Sequence, residues 1–351
     1  MQSENLPAEQ PPAGRTDLPG EGGEATPSIV PPAAPFHGAL ANTPILPSVY
    51  PAEVFHYTTV DGLRGIVESG KIWATEVGYL NDASEYVYAN DIVASVAAEL
   101  GERLAMFVNV AEFLRIDPKD NPFQCYIFCF CEDGDLLSQW RTYGREGTGY
   151  AIGFRLDALR SLPSGFLGPL VGKIVYDRNE QTQVVHTFLS STLGPIVDTD
   201  IVRDKFARLI DEVGDAARRA APEEVARIFE ERKPAVMREM SGLVAAPLNE
   251  AMIQSLAVRA FLKYPRFYEE REWRLMLVGG SRHAESFRSS RGLLVPYLPV
   301  HMGDRGSLPI TRIVIGPSLH PNEAMRSLKR YLNANGLSAV DIEASPIPLR
   351  A

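Results

Sequence analysis

Two short runs hold the residues best placed to do chemistry. In Phe55-His56-Tyr57-Thr58-Thr59, a histidine ends a strand-like stretch and is followed by hydroxyls. Such an imidazole can hold a sugar hydroxyl or act as a base near neutral pH. It can equally be a histidine bonded to nearby backbone. In Glu270-Arg271-Glu272-Trp273-Arg274, strand alternation places Glu270, Glu272 and Arg274 on one side, and Trp273, Leu275 and Leu277 on the other. Met276 and Val278 make the first side apolar farther along. The strand is therefore expected to begin at a polar mouth, with Glu272 near solvent, and to run into a buried sheet. Carboxylates at such a mouth can stabilise developing positive charge. They can also belong to a salt-bridge ladder on an exposed face.

Three further groups have two readings each. Trp140 and Tyr143 lie three apart, on one face of a helix, with Arg141 adjacent. Aromatics beside an arginine can stack on and clamp a planar, phosphorylated ligand, or simply pack a core. In Asn81-Asp82-Ala83-Ser84-Glu85, Asp82 and Glu85 could join His56 in a metal-dependent hydrolase or nuclease; their spacing is also that of a capping box before a long helix. Cys125, Cys129 and Cys131 share one face of a single strand. Zinc would want a fourth ligand and a turn such as C-x-x-C, so these read as small buried apolar side chains.

The elements that must position these residues follow from periodicity and breakers. Strands are expected at Glu53–Tyr57, Lys71–Thr75, Cys125–Cys131, Gly149–Arg155, Leu170–Asp177, Glu272–Val278, Gly292–Leu298, Ile310–Ile315 and Val340–Ala344. A helix capped by Thr58 or Thr59 should end at Gly70, and a longer one should run from Ala83 to Leu114. Leu136–Tyr143 is helix-like, residues 200–264 read as three helices broken at prolines, and Pro321 opens a closing helix. The order lacks a regular βαβ beat. It predicts an α+β fold, a mixed and mainly antiparallel sheet with a helical insertion over 200–264.

The 351 residues suit one large domain or two ordinary ones. Hydrophobic residues make up 45%, enough for a sizeable core. Residues 1–50 stand apart, with ten prolines, five glycines and no lysine. They are expected to form a disordered, polyproline-like tail, passive or bound by an SH3-like module, ahead of a single domain over 51–351. A net charge of −9 argues against a sequence-blind nucleic-acid binder. There is no apolar run long enough to cross a membrane. Three cysteines suit a reducing compartment, hence the cytoplasm, rather than a disulfide scaffold.

Taken in order, these motifs resemble the bacterial DUF2971 family of uncharacterised domains, over about residues 53–320. The matching pieces are Phe55-His56-Tyr57-Thr58, Trp73-Ala74-Thr75, Asn81-Asp82-x-x-Glu85, Phe128-Cys129-Phe130 with Trp140 and Tyr143, Gly149-x-Ala151-Ile152-Gly153-Phe154, and Glu270-x-Glu272-Trp273-Arg274. The chain is more distantly similar to ADP-ribosyltransferase folds of the His-Tyr-Glu kind, through His56 with Gly70, Tyr143, and Glu272 in Glu-x-Glu; the usual Gly-x-Tyr context is missing. That likeness implies catalysis by Glu272, His56 and Tyr143 on NAD as a substrate, without a tightly bound cofactor or a metal. It implies ligand contacts from Tyr57, Thr58, Asn81, Trp140, Arg141, Glu270 and Arg274. An enzyme that transfers ADP-ribose or hydrolyses NAD, a non-catalytic ligand-sensing domain and a metal-dependent hydrolase all remain open at this point, as does the acceptor.

Overall fold

The computed structural model describes residues 40–80, 84–101, 114, 124–144, 149–162, 169–197 and 250–348 apart from 253, 280–284, 291, 305 and 319, with isolated positions between 211 and 248. Residues 1–39, Asn81 and Asp82 lie outside this set, so the expected tail up to residue 39 and the expected Asp82 cap do too. The body begins earlier than expected. Leu40, Ile45 and Leu46 are buried in the core, where Ile45 accepts a 2.9 Å bond from the Lys173 amide. Three apolar residues within seven sufficed to dock a stretch otherwise rich in turn formers. Gly172 makes the approach possible, because a Cβ there would sit 2.8 Å from the Ile45 side chain and 2.9 Å from Phe261. Ile45→Ala should therefore cost about 2–5 kcal/mol, read as a lowered urea midpoint; an unchanged midpoint would detach this segment from the core.

Strand β1 (Glu53–Thr58) leads into helix α1 (Val60–Ser69). Thr59 caps the helix, its side chain accepting from the Gly62 amide, and Leu63, Ile66 and Val67 supply the buried face. Gly70 stops it at φ +66°, a left-handed conformation that an L side chain resists, and its amide bonds back to the Ile66 carbonyl. β2 (Lys71–Glu76) follows directly, and helix α2 (Ser84–Gly101) precedes β3 (Gln124–Cys131). Then come α3 (Leu137–Tyr143), β4 (Tyr150–Arg155), the short α4 (Leu156–Arg160), β5 (Leu170–Lys173) and α5 (Arg178–Val197). Every described position between 211 and 259 is helical, in keeping with the expected insertion. The chain closes with β6 (Glu272–Gly279), β7 (Ser286–Ser290), β8 (Leu293–His301), β9 (Ile310–Ile315), α6 (Pro321–Ala334) and β10 (Asp341–Ala344).

These ten strands form one mixed sheet, antiparallel except where β10 runs parallel to β9, so the α+β expectation holds. Its decisive feature is a fork at β3. β6 pairs with β3 along its whole length, from Gln124↔Gly279 to Cys131↔Glu272, and so takes one edge. The other edge is shared. β2 meets only Tyr126 and Ile127, and β1 meets only Cys131. From β5–β6–β3 the sheet thus divides into a β2–β8–β7 wing and a β1–β4–β9–β10 wing. One face of the β3–β6 stem, with Cys125, Ile127, Met276 and Val278, packs on α2, α5 and the helices before Phe261. The other, with Tyr126, Phe130, Trp273 and Leu275, packs on α1, α6 and both wings.

Several elements differ from the sequence reading, the short α4 among them. α5 was not expected; its apolar face (Val184, Val185, Phe188, Leu189, Leu193) is interrupted by threonine, serine and histidine, and Asp177 caps its start. β5 is correspondingly shorter. β7 was not expected either, since Ser-Phe-Arg-Ser-Ser has no strand-like apolar alternation.

Candidate functional site

A cleft of about 480 Å³ opens where the wings part, roofed by the first turns of α1. Residues Ile127 through Cys131 all line it. A strand alternates its side chains between faces, so five successive lining residues mean that this strand edge is itself open to the cleft. The fork explains why.

It also explains His56. At the open edge the Cys129 carbonyl has no strand partner, and His56 Nδ1 supplies the bond at 3.0 Å. A carbonyl can only accept, so Nδ1 carries the hydrogen and Nε2 is left as an acceptor. The ring packs on Phe128 with centroids 4.2 Å apart. Burial, and to a lesser extent the Arg288 charge, hold its pKa near 4, outweighing the Cys129 bond, so the imidazole is neutral at pH 7.

Glu270 and Glu272 line the same cleft. Glu272 opens β6 as expected, but it is only 5% exposed rather than near solvent. Arg274 grips it twice, Nε to Oε1 at 2.7 Å and Nη2 to Oε2 at 3.0 Å, and Lys263 Nζ reaches Oε2 at 3.0 Å. Lys263 also bonds Glu270 at 2.5 Å, and Arg274 Nη1 bonds the Ala260 carbonyl at 2.7 Å. Burial alone would raise the Glu272 carboxyl. Arg274 and Lys263 outweigh it, and the Cys129 thiol adds a hydrogen bond, so the pKa falls to about 2. Glu270 lies outside β6, at the end of a 3₁₀ turn (Pro265–Glu270), because Arg271 takes a left-handed conformation at φ +45°. The reading of these charges as a ladder on an exposed face is thereby corrected: among the described residues Glu272, Arg274 and Lys263 form a compact buried cluster, with Glu270 at its partly exposed margin.

Tyr143 lines the cleft at 39% exposure, close enough to the cluster that burial, Cys129 and the two glutamates push its phenol up to about 12. Trp140 does not line it. Trp140 is fully buried, packs edge-on against Tyr57 at 4.6 Å and donates to Asp135 at 2.7 Å. The face of α3 that meets the cleft is Gln139 with Tyr143, four apart, and Arg141 is exposed away from it. Trp140 thus positions the helix instead of clamping a ligand. Tyr57 and Thr58 line the cleft, although the Tyr57 hydroxyl is committed, donating to the Asp133 carbonyl and accepting from the Leu136 amide, both at 2.8 Å. Arg274 does not line it and acts through Glu272. Asn81 and Asp82, and the Glu85 side chain, lie outside the described residues.

Sequence reasoning gave no site role to five contributors. Trp73 (42% exposed) stacks on Tyr297 at 4.6 Å as one wall, with Thr75 beside it on β2. Arg288 enters from β7, Gln139 from α3, and Lys263 closes the charge cluster. Alternation along Lys71-x-Trp73-x-Thr75 was the signal available for the first two residues of that wall. Cys129 borders Glu272, and its thiol is pushed far up by burial and that carboxylate, so it is no nucleophile at neutral pH. Among the described residues no three His, Cys, Asp or Glu side chains are disposed to hold a metal. Nor is any described helix long and apolar enough to cross a membrane.

The titrations predict an acid-labile fold. His56 folds neutral with a lowered pKa, so the unfolded chain binds the extra proton; its contribution is present above about pH 6.5 and is lost between there and about 4. The loss is on the order of 3 kcal/mol. The Glu272 contribution is present above its ordinary pKa of 4.5 and is lost as pH falls toward 2. Urea unfolding at pH 7, 5 and 4 should show the first slope, flattened in His56→Gln. An equal slope in that variant would contradict the assignment.

No curated protein and no solved structure matches the chain. A family model does, covering residues 139–275, from the cleft-lining Gln139 through the Glu270-x-Glu272-Trp273-Arg274 run. Over that stretch the resemblance read from the sequence stands: the chain carries the pattern of DUF2971, described as a protein of unknown function.

Proposed function

We propose that the cleft at the fork binds an NAD-type nucleotide and cleaves its nicotinamide–ribose bond, transferring ADP-ribose or releasing it to water. The observation that carries this reading is the meeting of His56, Tyr143 and Glu272 in one cleft, from three elements far apart in sequence. An oxocarbenium-like transition state develops positive charge on the ribose. A carboxylate kept ionised and fixed in place suits it, since the protein does not reorganise as that charge appears. Neutral His56 offers Nε2 to a ribose hydroxyl. Tyr143 and the Trp73–Tyr297 pair offer faces for planar rings.

A second reading, a ligand-sensing domain without chemistry, is favoured by one specific feature. Both Glu272 oxygens are already engaged by Arg274 and Lys263, and among the described residues the cluster carries two positive and two negative groups. Titration with NAD, followed through the fluorescence of Trp73, distinguishes neither reading but tests what they share. His56→Ala should weaken binding about tenfold, the loss of one good hydrogen bond, with a smaller effect on turnover at saturation. Unchanged affinity would remove His56 from the ligand site.

A further inference from the structure

Arg288 lines the cleft but has no part in the chemistry proposed above. It projects from β7, in register with Val295 of β8, on the face of the wing that also carries Trp73 and Thr75. Its Nη2 donates to Thr75 Oγ1 at 2.8 Å, while its Nε is buried and has no acceptor. Among the described residues no carboxylate pairs with it. Asp61, on the α1 roof, faces the same cleft without reaching it. The acids near this wing are spent elsewhere: Glu285 takes the Tyr126 hydroxyl, and Glu76 takes the Gly78 amide at 2.9 Å. A half-buried guanidinium with no counter-ion among the described residues is costly unless something anionic arrives. Lys71, on the same strand face as Thr75, lines the cleft as a second cation.

We infer that Arg288, braced by Thr75 and joined by Lys71, is the seat for a phosphate or diphosphate group of the ligand. The planar fork of a guanidinium suits two phosphate oxygens at once. This assignment rests on the nucleotide reading for the identity of the ligand, and it fixes the ligand's direction. The phosphates lie toward the β2–β8–β7 wing, and the scissile sugar lies toward the Glu272 cluster. Arg288 would then hold the ligand without touching the reacting bond.

The test is calorimetric binding of ADP-ribose, adenosine and inorganic pyrophosphate to the full chain. The wild type should bind ADP-ribose more tightly than adenosine, and pyrophosphate should compete. Arg288→Gln should lose about tenfold to a hundredfold in affinity for ADP-ribose while adenosine is unaffected, and Arg288→Lys should fall between. Melting curves of each variant serve as the folding control, and Thr75→Val gives a second variant that loosens the brace without removing the charge. ADP-ribose bound equally well by Arg288→Gln would overturn the proposal, as would failure of the wild type to bind both ADP-ribose and pyrophosphate. Pyrophosphate binding lost in Arg288→Gln, in a protein that neither binds nor turns over NAD, would keep the anion seat and discard the nucleotide reading. NAD turnover with an unaltered KM in Arg288→Gln would do the reverse.

Discussion

Arg274→Met is expected to be the most damaging single change in the stem of the sheet, lowering stability by about 3–5 kcal/mol. Arg274 is 3% exposed, and it meets both oxygens of a glutamate that is scarcely more accessible. Taking it away leaves that carboxylate buried with Lys263, which Glu270 already shares. The cost is a stranded charge rather than lost packing, because methionine fills much of the same volume. It follows that Glu272→Leu added to Arg274→Met should recover part of the loss, since Lys263 keeps Glu270 and no carboxylate is stranded. Urea unfolding of the two single variants and the double variant closes the cycle. Additive losses would mean that the two side chains contribute independently and that the cluster is not a unit.

The second large effect concerns rate. Glu272→Gln should slow nicotinamide release from NAD by about a hundredfold or more, as loss of one preorganised electrostatic group commonly does. The swap is nearly isosteric, and a position near solvent would tolerate it freely. The burial of Glu272 changes that expectation. A neutral amide takes from Arg274 and Lys263 the charge of the carboxylate they both hold, so the variant should also melt lower than the wild type, and rates must be compared at a temperature where both are folded. Rates that fall only in proportion to the unfolded fraction would reduce Glu272 to a structural anchor.

Much of the frame was legible because local chemistry and the final fold agree. Thr59 and Gly70 bracket α1 by rules that involve only neighbouring residues, and Ile310–Ile315 is a strand by both readings. The alternation along Glu272–Val278 separated its two buried faces correctly. What escaped was set by long-range geometry. The fork depends on which strands share one edge of β3, and no local pattern encodes that. Without it, His56 could not be seen as the partner of an orphaned carbonyl 73 residues away. Trp140 and Tyr143 share a helical face by spacing, yet the boundary between core and cleft passes between them. Arg288 was hidden because β7 is polar and earns its place through pairing with β8, not through burial. Glu272 looked exposed because its neighbours are charged; Lys263, which helps to bury those charges together, lies on the chain before the 3₁₀ turn.

The cleft is proposed above to consume NAD. The most direct measurement is the release of free nicotinamide from NAD by the full chain, followed over time with and without a mixture of acceptor proteins. Release is expected to grow with time and with protein concentration, and to be suppressed by ADP-ribose, which would occupy the same cleft. No release above the spontaneous rate under either condition would contradict that proposal, and would leave the forked sheet as the frame of a binding site alone.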